Sequence, residues 1–251
     1  MSPLLDLRGL RKVYRRPFSR VSTVAVDGVD LRVSPGEVVG LIGESGCGKT
    51  SLARTALGLL RRDAGEVRVL GQDPHVLRGE ALRALRRRAQ LLLQDPGASL
   101  NPGLTVRETL EESRRAHRPD DAAIVDEALA RVDLAHRAKA RPHELSGGEK
   151  RRATLAQLWI ADPFLTVADE PTAGLDAARK AELLDLLLAR RGPDRAFVLI
   201  SHDLPLVLYA CTRVVVMDRG RVVDDFDPRA LAPASLSDAT RRLLEASGMA
   251  S

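Results

Sequence analysis

Apolar positions along the chain fall into short runs, separated by glycine, proline and charged clusters, and the runs follow two different periods. Residues 38–42 form an apolar stretch of the right length for a buried strand, and 91–93 end a second one. Residues 164–168, 196–200 and 213–217 are further strand-sized runs. Residues 4–14, 24–33 and 66–70 alternate instead, as half-buried strands do. Helical spacing appears at 50–60, where Leu52, Ala53, Ala56, Leu57 and Leu60 share a face, and again at 82–88, 150–160 and 177–190. Between Asn101 and Arg141 the pattern changes to short amphipathic helices. Thr105-Val106-Arg107-Glu108 has the form of a capping box, and Asp120 behind Pro119 predicts a helix running through Val132. Residues 213–217 and 221–223 flank Asp218-Arg219-Gly220 as a hairpin would. The tail from Phe226 is polar, with a short helix expected at 237–246.

Composition narrows the class. A length of 251 residues suits one large domain or a core with a small insertion, and 44% hydrophobic residues are ample for burial. No apolar run approaches the ~18 residues of a membrane span. Met1–Leu10 carries Asp6 and Arg8, unlike a signal peptide. Two cysteines, Cys47 and Cys211, make neither a disulfide framework nor a zinc pattern, so a reducing cytoplasm is expected. The net charge of +5 raises nucleic acid as a partner. However, the basic residues are scattered and aromatics are only 3%, so stacking surfaces for bases are not expected.

The chemistry gathers at the ends of the apolar runs. Gly43-Glu44-Ser45-Gly46-Cys47-Gly48-Lys49-Thr50 fits the phosphate-loop pattern G-x-x-x-x-G-K-[ST], between a strand and a helix. Glycines let backbone N–H groups wrap phosphates, and the helix start adds partial positive charge. Lys49 is then expected to reach the β- and γ-phosphates, and the Thr50 hydroxyl to ligate Mg²⁺, with Ser51 following. Gln94 ends a strand before Pro96, where a side chain can look into a cleft. Asp169-Glu170 ends another, and paired carboxylates there need polar partners. In a phosphate-loop protein the first holds Mg²⁺ and the second orients or deprotonates water. His202 follows the run 196–200, at the strand end where α/β sites form. Leu145-Ser146-Gly147-Gly148-Glu149 at a helix start offers a second anion site, although these five residues alone favour an ordinary N-cap. Cys47 reads as a small loop-filling residue or as a thiol activated by the helix start.

With these residues laid out, the chain resembles the ATP-binding subunits of ABC transporters over nearly its whole length. Tyr14 matches the aromatic that stacks on adenine, and Gly43 to Thr50 the Walker A loop. Gln94 matches the Q-loop, Leu145 to Glu149 the signature motif, and Phe164 to Glu170 the Walker B strand. Ala173-Gly174-Leu175-Asp176 matches the D-loop, and His202 the switch histidine. A single phosphate loop is a moderate signal; seven motifs in family order are a strong one.

The resemblance implies an α/β fold: a RecA-like P-loop NTPase core with an N-terminal antiparallel β subdomain and a helical insertion. Core residues would be 1–100 and 161–225, the helical subdomain 101–160, and the tail 226–251. It also implies ATP and Mg²⁺, with Thr50, Gln94 and Asp169 at the metal and Glu170, His202 and Gln94 in catalysis. A second ATPase subunit would present Ser146, Gly147, Gly148 and Glu149 to the γ-phosphate, with Asp176 nearby. Within the family, Gln94 to Pro102, Arg141 to Ser146 and the Cys47 loop are similar to the peptide/nickel importer class. The implied setting is the cytoplasmic face of the membrane, with permease subunits as partners and an extracytoplasmic substrate-binding protein acting indirectly. The other reading is a soluble ABC-type ATPase working on nucleic acid or protein assembly; it calls for a coiled-coil insertion or duplicated cassette, and neither is visible. Glu149 stands where glutamine is commonest, Gln157 and Trp159 where an Ala-Arg-Ala-Leu run is usual, and Thr166 puts a hydroxyl in the Walker B strand.

Overall fold

The structure, a computed structural model, describes residues 2–15, 22–93, 100–230 and 236–247. They belong to two compact units. The first spans 1–91, 164–170 and 191–251; the second spans 92–163 and 171–190.

The first unit holds two sheets. In the smaller one, β1 (Leu5–Arg15) pairs antiparallel with β2 (Ser22–Val33) on one side and β4 (Ala64–Val69) on the other. The alternation read from sequence is visible here, with Val67 and Val69 buried and Arg68 exposed between them. The larger sheet has the order β5 (Ala89–Leu92), β6 (Leu165–Asp169), β7 (Ala196–Ile200), β3 (Val38–Ile42), β8 (Arg213–Asp218), β9 (Arg221–Phe226). β3 runs parallel to both β7 and β8, β6 runs parallel to β7, and β9 closes the edge antiparallel to β8. Every residue of β3, β6 and β7 is buried, which is why these strands read as continuous apolar runs. Leu41, Val167, Val198 and Val215 from the sheet meet Leu52 and Ala56 of α1 (Lys49–Ala56) in one core. Truncating a fully buried leucine such as Leu41 to alanine would cost about 2–5 kcal/mol. The parallel strands place their carboxyl ends side by side, where α/β sheets build ligand sites.

Boundaries differ from expectation in instructive places. α1 stops at Ala56 rather than Leu60, because the Leu59 and Leu60 N–H groups both turn back to the Arg54 carbonyl. α2 (Gly79–Arg88) starts earlier than expected. The strand expected to end at Ala168 continues through Asp169. Asp224 on β9 accepts hydrogen bonds from the Ser237 hydroxyl and backbone N–H and from the Thr240 hydroxyl, which ties α8 (Asp238–Ala246) to the sheet.

The second unit is helical. It contains α3 (Val106–His117), α4 (Ile124–Arg131), α5 (Gly147–Ala161) and α6 (Ala177–Leu188), with Leu110, Leu129, Ala153, Ala156 and Ile160 fully buried or nearly so. The capping box at Thr105 is formed: its hydroxyl accepts from Glu108 N at 3.2 Å, and Glu108 Oε2 accepts from Thr105 N at 2.8 Å. The helix expected from Asp120 begins only at Ile124, whose N–H goes to the Asp121 carboxylate at 3.2 Å. The helix expected from Lys150 begins three residues sooner, at Gly147. Trp159 packs against two guanidinium groups, Arg131 at 4.1 Å and Arg190 at 3.9 Å from the ring centre. Gln157 reaches Ser113, 3.5 Å away. The unusual residues of α5 are thus used in packing within this unit.

Candidate active site

In the first unit, the loop between β3 and α1 is shaped by two glycines. A Cβ on Gly43 would lie 2.2 Å from the Met217 carbonyl, and one on Gly48 would lie 2.0 Å from the Ala25 carbonyl. Both have positive φ, so any side chain would be strained as well as blocked. Gly48 is also the N-cap of α1 and supplies no side chain to it, and the first turn carries no acidic residue. The N–H groups at that helix start therefore keep their positive partial charge for an outside anion. Lys49 is 8% exposed, and its Nζ donates to the Gly43 and Glu44 carbonyls at 2.8 and 3.0 Å. A cation is thus held inside the curl of the loop. Cys47 is buried, with its Sγ 3.7 Å from Lys49 Nζ.

The neighbouring strand ends complete the arrangement. Thr50 Oγ1 donates to Asp169 Oδ1 at 3.2 Å, and Asp169 is 2% exposed. A hydroxyl oxygen beside a carboxylate is a hard-oxygen donor set, the kind Mg²⁺ uses together with substrate phosphates. Among the described residues no group of three or more His, Cys, Asp or Glu side chains could hold a metal, so a cation here would complete its shell with phosphate oxygens and water. Glu170 takes a left-handed backbone, φ 50°, and its N–H donates to the Ile200 carbonyl at 2.9 Å. That conformation is uncommon for a residue with a side chain. Its Oε1 lies 2.9 Å from His202 Nδ1, and its Oε2 is buried without a partner among the described residues. A carboxylate only accepts, so in this pair Nδ1 carries the proton. Tyr14 is 42% exposed, with its hydroxyl 3.2 Å from Ser51 Oγ on α1.

The remaining candidates lie in the helical unit. Ser146 caps α5 reciprocally with Glu149: Ser146 N donates to Glu149 Oε2 at 2.7 Å, and Glu149 N to Ser146 Oγ at 3.2 Å. A Cβ on Gly147 or Gly148 would meet nothing within 4 Å among the described residues. Glycines weaken a helix, and no contact among the described residues requires them here. They border a cavity of about 650 Å³ shared with Arg151, Arg152, Gly174 and Arg179. Asp176 caps α6, accepting from Arg179 N at 3.0 Å.

The first unit therefore brings together Tyr14, the loop Gly43 to Ser51, Asp169, Glu170 and His202. The second brings together Ser146 to Glu149 with the turn ahead of Asp176. Gln94, assigned to metal and catalysis from sequence, lies outside the described residues, as does most of the stretch to Pro102 that follows it. Two contacts around these residues escaped the sequence. Arg151 donates to the Ala173 carbonyl, and Arg137 sits 3.1 Å from Glu149. Neither partner is at a spacing that a motif or helix period would flag.

Residues 26–173 match the family described as "ABC transporter". The chain is similar to the nickel import ATP-binding protein NikE of Pseudomonas putida, at 41% identity over 206 residues, covering 80% of this chain and 76% of that protein. It is similar to a putative peptide import ATP-binding protein of Brucella ovis, at 38% identity over 257 residues, covering 98% and 78%. Among solved structures, cbiO1 of Clostridium perfringens, part of the ABC transporter complex cbiONQ, superposes with a TM-score of 0.76 at 26% identity, covering 91% of this chain and 90% of that one.

Proposed function

The chain belongs to the ABC transporter family of ATPases, and from that premise we propose that it hydrolyses ATP to energise a membrane importer of the peptide/nickel class. The observation that carries the chemical part is the Glu170–His202 pair beside Asp169 and Thr50. His202 fixes one oxygen of Glu170 and leaves the other, Oε2, free to accept a proton from an attacking water. Lys49 exchanges its loop carbonyls for β- and γ-phosphate oxygens when ATP enters. Thr50 and Asp169, with Gln94, would hold Mg²⁺, which when bound neutralises charge between the phosphates. The exposed ring of Tyr14 stacks on the adenine.

The open glycines of the second unit support a site completed in trans. Ser146, Gly147, Gly148 and Glu149 of one subunit face the γ-phosphate held by another, with Asp176 close by. Burying ATP between two copies, or between this chain and a related subunit, links nucleotide binding to closure. Hydrolysis removes the bridging phosphate and reopens the pair. The segment after Gln94 passes the motion to permease subunits on the cytoplasmic side of the membrane, and a substrate-binding protein delivers cargo from outside. No helix of the described residues is long and apolar enough to cross a membrane, so the translocation path is assigned to the permeases. The class assignment within the family rests on the relatives' names and on the Gln94–Pro102 resemblance.

The test is Glu170→Gln. ATP binding should persist while steady-state phosphate release at saturating ATP nearly stops. Wild-type turnover in the folded variant would remove Glu170 from this role. Reconstitution with permeases and a binding protein of this importer class, with peptide or nickel as cargo, tests the transport part; no cargo-dependent ATPase with either would count against the class.

A further inference from the structure

The two oxygens of Glu149 have different surroundings. Oε2 accepts the Ser146 N–H, closing the cap of α5. Oε1 lies 3.1 Å from Arg137 Nε, yet that N–H is not aligned for a hydrogen bond and remains without one. The contact is therefore one of charge. Arg137 is held independently, since its Nη2 donates to the Glu144 carbonyl. Side-chain exposures of 33% for Arg137 and 17% for Glu149 leave the pair half-sheltered, so salt screens it incompletely. The Ser146 N–H and hydroxyl, helped by the nearby Arg137 and Arg152 guanidinium groups, hold the Glu149 carboxyl below the usual carboxylate range, so it is ionised at neutral pH.

A carboxylate in the first turn suits a helix by itself, because it complements the positive end of the dipole. It is unfavourable where that same turn must receive a phosphate, since it offsets the positive potential the anion would use. Glutamine caps equally well without the charge. A glutamate in this turn thus needs a cation close enough to cancel it, on the side away from the open glycines' N–H groups.

We propose that Arg137 is a charge-compensating positioning residue that lets Glu149 occupy a turn built to receive the phosphate of a nucleotide held by a second subunit. The inference rests on the trans-acting role given above to Ser146, Gly147 and Gly148. Arg137 does not touch the nucleotide; it acts through Glu149.

A double-mutant cycle tests this, with ATPase activity read against ATP concentration. Arg137→Ala should raise the half-saturating ATP concentration about ten-fold, the order expected of one uncompensated charge at the edge of a phosphate site. Arg137→Gln, which keeps a donor for the Glu144 carbonyl, should show the same defect and guards against loss of the fold. In a Glu149→Gln background, removing Arg137 should change little, and the defect of Arg137→Ala should shrink as ionic strength rises. An Arg137 effect of equal size in both backgrounds would overturn the proposal, leaving Arg137 as a prop for the turn at Glu144. So would wild-type behaviour of Arg137→Ala. Gly148→Ala separates the underlying reading: full activity there would sink the trans role itself, whereas loss at Gly148 with a silent Arg137 sinks only this inference.

Discussion

Glu170 and His202 meet through one oxygen and one nitrogen, Oε1 and Nδ1 at 2.9 Å, while the other oxygen of Glu170 is buried and unpaired among the described residues. The histidine is 66% exposed and the glutamate 14%. The buried partner is thus held by the exposed one, and in the proposed mechanism the other oxygen accepts the proton of the attacking water. His202→Ala should lower kcat by about 10²-fold or more, in the range of a lost acid–base orienting contact, with ATP affinity nearly kept. A variant that loses affinity and keeps kcat would place His202 in nucleotide binding instead. Turnover and nucleotide titration on the same preparation check this.

Thr50 in the first turn of α1 and Asp169 at the end of β6 are joined at 3.2 Å, with the hydroxyl donating to the carboxylate. Thr50→Ala and Asp169→Asn should each raise the Mg²⁺ concentration needed for half-maximal ATPase, and Thr50→Ser should stay near wild type. An unchanged Mg²⁺ dependence in both disruptive variants would remove the cation from this position.

Gly148 offers an unusual separation of stability from function. An alanine there meets nothing within 4 Å and replaces a poor helix former, so the free protein should be stabilised by a few tenths to about 1 kcal/mol. ATPase activity should nevertheless fall sharply if, as proposed, the methyl group occupies the face offered to a partner's nucleotide. Thermal unfolding and ATPase assays on one sample decide it. Equal stability gain with undiminished activity would show the face is not used.

Tyr14 presents an exposed ring and anchors its hydroxyl near Ser51. Tyr14→Ala should weaken nucleotide affinity more than it slows the saturated rate, with stacking worth at most ~1–3 kcal/mol by analogy with base–aromatic contacts. Tyr14→Phe keeps the ring and should be mild. Equal losses in both variants would assign the work to the hydroxyl and its serine neighbour.

The isolated chain is expected to bind ATP with Mg²⁺ and to ignore nickel, nickel chelates and short peptides. Its five histidines are dispersed along the sequence. Calorimetric titration of tag-free protein with Ni²⁺ and with peptides should show no stoichiometric binding below micromolar. Such binding would move cargo recognition onto this subunit.

How far the primary structure reaches can be judged residue by residue. The apolar runs at 38–42 and 196–200 coincide with β3 and β7 to the residue, because strands buried on both faces tolerate almost nothing polar. The phosphate loop was legible for a similar reason: its glycines, Lys49 and Thr50 answer to local geometry that only those residues supply. Asp169, Glu170 and His202 were legible as candidates, since each ends an apolar run. Their pairing was not, because residues 32 apart share a hydrogen bond only once β6 and β7 lie side by side. Folding also decided which Glu170 oxygen stays free. The Arg137–Glu149 contact and the stacking of Trp159 between Arg131 and Arg190 belong to the same category. Local sequence can demand a turn or a buried strand, but a charge finds its counter-charge through packing of distant elements, and no short-range pattern encodes that.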